Sequence, residues 1–262
     1  MGKKQTKLIT KSMILYELRN VTGNPFVHIF GVGMPVLMSI LITRMVTLEM
    51  SDAAMVKMVS TSVFLGIGAL IPLATILMGY SVMQAQDLEK GIPERLRLFG
   101  IKNSVTICNR AISELIFMLA AFLIYFIAGT CFIGIEAPVV SGWVLYAICM
   151  VVFSVLCFIM AHGLACLLKK FSVTYCGVMI IYFAFMIFGG MMGVSYENMS
   201  GWMQGVAKLL PVTYFNRDFY EIWTGEAYDF MPMVQSFLLF GAVGGILLFV
   251  ALKRGEKTGR SD

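Results

Sequence analysis

Six apolar runs, separated by short clusters of charged and turn residues, set the pattern of this chain. They fall at roughly 25–46, 58–83, 104–134, 142–168, 172–194 and 230–252. A helix crosses the hydrocarbon core of a bilayer with about 20 residues, and each run is long enough. The pattern predicts six membrane-spanning helices. The second run holds Gly66, Gly68, Pro72 and Gly79, residues that interrupt helical hydrogen bonding or let backbones approach, so a kinked span is expected. The third opens with Arg110 and Glu114, spaced for an i,i+4 ion pair. The fifth ends in Gly189, Gly190, Met191, Met192 and Gly193, with small residues four apart for close helix packing.

Four segments depart from the long apolar pattern. Residues 1–22 are basic (Lys3, Lys4, Lys7, Lys11, Arg19), and Leu8, Ile9, Ser12, Leu15 and Tyr16 make one apolar face. This reads as an amphipathic helix lying along the membrane surface near anionic head groups. It is not a signal peptide, because the apolar run that follows is too long and lacks a small-residue cleavage site. Residues 84–102, between the second and third spans, are charged and carry helix punctuation: Pro93 for a first helical turn, Glu94 behind it, Gly100 to end it. Leu88, Ile92, Leu96 and Phe99 recur at a helical period. A short amphipathic cytosolic helix and an ordinary solvated loop both fit.

The last outer connection, 195–229, is too long and too aromatic for a plain loop. Trp202, Val206, Leu209 and Leu210 suit one short helix stopped by Pro211; Phe215, Phe219, Ile222 and Trp223 suit a second. Such a helical pair could dip into the outer leaflet, or form only an aromatic belt at the interface. Residues 253–262 form a basic tail.

Composition agrees with the pattern. The chain of 262 residues is 59% hydrophobic and 13% charged, where soluble domains carry about 25% charged residues. Its mean hydropathy is +0.84. One membrane domain over 1–262 is expected. With both termini in the cytosol, 16 of the 20 lysines and arginines fall on the cytosolic side, a strong positive-inside signal. The six cysteines form no C-x-x-C pair and read, like the 21 methionines, as packing residues. His28 and His162 stand far apart, no metal site is expected, and there is no G-x-x-x-x-G-K-[ST] nucleotide loop.

The string Asp87-Leu88-Glu89-Lys90-Gly91-Ile92-Pro93-Glu94-Arg95-Leu96 resembles the cytoplasmic signature of ABC type-2 transporter permeases. A second landmark of that family is a Gly-rich end of the fifth span, followed by a Trp, a basic residue and Leu-Pro-x-Thr-Tyr. Here it resembles Gly190, Trp202, Lys208, Leu210, Pro211, Thr213 and Tyr214. The chain departs from the family at Phe99-Gly100, where a Thr-Pro step is common, and at Val194-Ser195-Tyr196, where a proline is common.

The resemblance implies an all-α membrane protein of six spans with a cytosolic coupling helix. It implies pairing with a second permease chain, identical or paralogous, above two ABC ATP-binding subunits. ATP and Mg would be bound by those subunits, with no cofactor on this chain and no nucleic-acid partner. The expected setting is a bacterial plasma membrane. Glu89, Lys90, Gly91, Glu94, Arg95, Leu96, Arg97 and Phe99 become the candidate ATPase-coupling residues. Phe64, Thr75, Tyr80, Tyr175, Tyr182, Phe185 and Met186, on spans two and five, become candidates for the substrate pathway. Trp202, Pro211 and Tyr214 become candidates for an outer gate. An uncharged aromatic, hydroxyl and thioether lining suits a hydrophobic or amphipathic cargo such as a drug, antimicrobial peptide or lipid. The same residues would serve an ordinary helix interface, and aromatic faces also stack on sugars. The alternative is a stand-alone secondary transporter driven by an ion gradient, which would call for ionisable residues at span centres.

Overall fold

The computed structural model describes residues 10–192 and 195–258, the side chains of 255–258 excepted. Lys3, Lys4, Lys7, Leu8 and Ile9 of the expected surface helix, Gly193 and Val194 after the fifth span, and Arg260 and the Lys257 side chain of the tail lie outside the described residues.

Eleven helices follow in order: α1 (Lys11–Thr22), α2 (Pro25–Thr47), α3 (Ala53–Glu89), α4 (Ile92–Leu98), α5 (Asn103–Ile133), α6 (Val140–Leu168), α7 (Phe171–Phe188), α8 (Gly201–Ala207), α9 (Pro211–Arg217), α10 (Phe219–Thr224) and α11 (Met231–Thr258). A single 3₁₀ turn, Tyr196–Asn198, precedes α8. Six helices, α2, α3, α5, α6, α7 and α11, are long and apolar enough to cross a membrane, matching the six runs. Local chemistry sets their starts. The Asn24 side chain accepts the Phe26 N–H at 3.1 Å with Pro25 in the first turn, and Asp52 accepts the Ala54 N–H at 2.9 Å.

The second span, α3, is the axis of the bundle. Of its apolar stretch, 89% is buried within the protein, against 39% or less for the other five. The expected kink is present. The helix breaks at Ala69, whose N–H turns to the Gly66 carbonyl, and it winds as a wider π-type helix over Leu73–Tyr80. The break removes the ordinary partner of the Leu65 carbonyl, and the Tyr146 hydroxyl of α6 donates to it at 2.9 Å. Tyr125 of α5 donates to the Phe64 carbonyl at 2.8 Å. Gly68 makes this possible: a Cβ there would lie 2.3 Å from the Tyr146 hydroxyl oxygen. Buried backbone freed by a kink is thus satisfied by neighbouring helices, as a membrane interior requires. On the far side of the bundle, α11 crosses α6 at Gly163, where a Cβ would sit 2.8 Å from the Leu248 nitrogen.

The outer connection corrects one expectation. It forms three short helices rather than two. Pro211 begins α9 instead of ending the helix before it, because its missing N–H costs nothing in a first turn. A further break falls at Asp218, whose carboxylate is held by Arg217 and by the Tyr228 hydroxyl. Phe215, Phe219, Ile222 and Trp223 are buried. Their rings pack with Tyr146 and Phe153 of α6. α9 and α10 therefore rest on protein, whereas Trp202 of α8 is 67% exposed.

Candidate functional site at the charged hairpin

Between α3 and α5 the chain makes a tight charged turn. Gly91 takes a left-handed φ of +65°, Pro93 falls in the first turn of α4, and Glu94 lies at the positive end of that helix. α4 closes on Gly100 at φ +84°, with Ile101 N–H on the Leu96 carbonyl (3.1 Å) and Gly100 N–H on Arg97 (3.0 Å). These two bonds make the glycine-terminated helix end that the sequence predicted. No residue of α4 is buried. Glu94, Arg95 and Arg97 are exposed, as are Glu89 and Lys90 before them; Leu96 is half-buried. Leu98 and Phe99 are 86% and 83% exposed. The period had assigned Phe99 to one face with Leu96; instead it turns outward beside Leu98, which the sequence reading passed over. Leu98 and Phe99 thus make a small apolar tip on a charged helix.

Two ties connect this turn to the bundle. Glu89, the last residue of α3, accepts the Phe171 N–H at 2.8 Å. Phe171 opens α7, so a carboxylate sits at that helix's N-terminus, where the dipole favours it. The second tie is Arg110 on α5. Its guanidinium donates to Glu17 of α1 (3.0 Å), to Gln84 of α3 (2.8 Å) and to Asp87 of α3. The Arg110 side chain is only 11% exposed. Burial raises the Glu17 carboxyl above its ordinary range, and Arg110 offsets only part of that.

This overturns the ion pair expected between Arg110 and Glu114. Glu17 and Asp87 occupy the guanidinium, and Glu114 is buried with its Oε2 unpartnered. The clasp to Glu17 was missed because its partners lie on three helices. The available signal was the single acid within a basic helix. α1 also buries Glu17 and Val21 while Leu15 and Tyr16 point outward.

The pathway candidates do not share one surface of the protomer. Phe64, Thr75 and Tyr80 are fully buried in α3, with Phe64 stacked on Tyr125 at 4.5 Å and the Tyr80 hydroxyl 2.7 Å from His162 Nδ1. Tyr182, Phe185 and Met186 are buried in α7; Tyr175 is half-buried and lines a crevice. Of the gate candidates, Pro211 and Tyr214 are buried, the latter donating to the Lys208 carbonyl at 2.9 Å. Trp202 stands apart, edge-on to Phe188 at 6.0 Å. Glu136 joins this end of the bundle instead. Its N–H reaches Thr61 Oγ1 (2.8 Å), its carboxylate accepts from Tyr220 (2.7 Å), and its carbonyl accepts from Trp223 (2.8 Å). Among the described residues no group of three or more His, Cys, Asp or Glu could hold a metal ion.

Six helices long and apolar enough to cross a membrane, packed around one buried axis with a charged helix at one end, define a polytopic membrane domain. The family model described as ABC-2 type transporter matches residues 9–223. The chain belongs to the ABC-2 type transporter family. It is a membrane permease component, of a family that associates with an ABC ATP-binding subunit. A search of curated proteins gave no match.

Proposed function

We propose that this chain is the permease of an exporter driven by ATP hydrolysis in a separate subunit. It sits in a plasma membrane, bacterial in setting, with α4 and both termini in the cytosol. Two copies, or one with a paralogue, stand over two ATP-binding subunits that hold ATP and Mg. The cargo is hydrophobic or amphipathic. The observation that carries this reading is the pairing of an exposed α4 with ties at its root. Leu98, Phe99, Glu94, Arg95 and Arg97 are free to enter a groove of the partner. Glu89 leads from that turn to α7, and Asp87 leads through Arg110 to α1 and α5. Displacement of α4 would thus reach four helices through two polar links, and ATP-driven closure would shift the bundle between two arrangements.

The test is co-purification from native membranes with ATPase assay of the eluate. The expected result is an ATP-binding subunit that is lost or uncoupled by Glu94→Lys with Arg95→Glu. A chain that elutes without ATPase sinks the proposal. A second reading has one observation in its favour: Glu114 and His162 are buried ionisable groups within spans. An ion-gradient transporter would move substrate in vesicles without ATP and would stop on Glu114→Gln. The exporter would need ATP and tolerate that substitution.

A further inference from the structure

At the end of the bundle that carries α4, a crevice of about 350 Å³ opens between the C-terminal end of α1, α3 and the start of α7. That volume lies in the range of pockets that hold small ligands, about 300–1,000 Å³. Its lining carries three carboxamides, Asn20, Asn24 and Gln86, and the phenol Tyr175, and no charged side chain. Asn20 and Gln86 each carry an amide that can both donate and accept. The Asn24 oxygen is taken by the Phe26 N–H, which leaves its amide hydrogens to donate. The opposite wall is aromatic. Phe171 and Tyr175 lie parallel with ring centres 6.1 Å apart, and Phe26 meets Tyr175 edge-on at 6.4 Å. Met83 and Val82 continue the lining with apolar surface.

We infer that this crevice is a loading site for an amphiphile with an uncharged head bearing hydroxyl or amide groups. Resting on the exporter reading, the inference names its cargo class. Carboxamides both donate and accept, which matches hydroxyls and amides, and flat rings pack on the less polar face of such a head. An ionic head would surrender hydration here with no counter-charge to replace it. Phe171, one wall of the crevice, is also the residue whose N–H Glu89 holds. Motion of the charged hairpin would therefore reshape the site.

The experiment uses a dodecyl glucoside carrying a diazirine, applied to the full chain in nanodiscs, with labelled peptides mapped by mass spectrometry. Labels are expected around Asn20–Asn24, Gln86 and Tyr175. Unlabelled dodecyl maltoside should compete, and dodecyl phosphate and dodecyltrimethylammonium should not. Gln86→Leu with Tyr175→Ala should cut labelling about tenfold, while Tyr175→Phe, which keeps the ring, should cut it less; thermal melts of each variant exclude misfolding. Equal competition by the charged amphiphiles, or labels elsewhere, overturns the inference. In the assembled complex the maltoside should stimulate ATPase activity, and the double variant should blunt that response. Labelling without stimulation would mark a resident lipid and also overturn it. An ATPase that co-purifies with a chain whose crevice takes no label defeats this inference alone. A labelled crevice on a chain without ATPase defeats the exporter reading alone.

Discussion

Replacing Arg110 by leucine would leave the carboxylates of Glu17 and Asp87 without their cation in a site nearly closed to water. Breaking a buried pair in this way costs about 3–5 kcal/mol, so the detergent-solubilised protein should melt well below wild type. Arg110→Lys should recover only part of the loss, because an ammonium cannot present the planar fork that meets three acceptors. Glu17 gives a sharper test. Its pKa is raised in the folded protein, mainly by burial. The folded state then binds more protons than the unfolded one, and stability falls as pH rises from the ordinary glutamate value through the raised one. Thermal midpoints measured from about pH 4 to about pH 7 should decline in wild type. The decline should be shallower in Glu17→Gln, which keeps an acceptor for Arg110 but cannot ionise. Equal slopes would show that Glu17 is not the group responsible.

Among elements, Glu89 is a polar link from the hairpin end of α3 to the start of α7, beside the packing of the two helices. Glu89→Ala should leave the membrane domain folded, with a melting temperature close to wild type, since an exposed cap contributes about 1 kcal/mol. Yet cargo-stimulated ATPase activity of the assembled complex should fall, because the polar link from the hairpin to the start of α7 is gone. Glu89→Gln, which keeps an oxygen for the Phe171 N–H, should retain more of it. The α6–α11 crossing makes a contrasting prediction. Gly163→Val would press against the Leu248 backbone, which cannot swing aside as a side chain can. Overpacking costs about 1–3 kcal/mol or more, and the expected readout is a lower melting temperature with no selective effect on coupling.

Across the whole molecule, the surplus of lysine and arginine argues for one orientation. In a cysteine-free background, single cysteines at Arg97 and Lys253 should react with an impermeant maleimide only when the cytosolic face is open. One at Lys208 should react from the other side. Reversed labelling would invert the assignment of α4 to the cytosol and with it the docking of an ATP-binding subunit. The hairpin's turn chemistry was legible beforehand, because Gly91, Pro93 and Gly100 act on their own backbone and need no distant partner. The expected Arg110–Glu114 pair failed for the opposite reason: spacing along one helix says nothing about competing carboxylates on its neighbours. Trp202, Pro211 and Tyr214 likewise stand close in sequence, but the break between α8 and α9 leaves Trp202 exposed while Pro211 and Tyr214 are buried.

The number of spans, their approximate places and the charged turn were determined by the sequence itself. Each rests on local physics: the length of apolar chain that lipid accepts, and the backbone freedom of glycine and proline. The tertiary structure alone decided which span became the axis, since α3 is among the less apolar of the six and hydropathy would rank others above it. It also decided which partners Arg110 and Glu89 take, and where three carboxamides and three rings come together. Those outcomes depend on contacts between residues some 80 to 90 positions apart, and no periodicity along the chain encodes which helix face meets which.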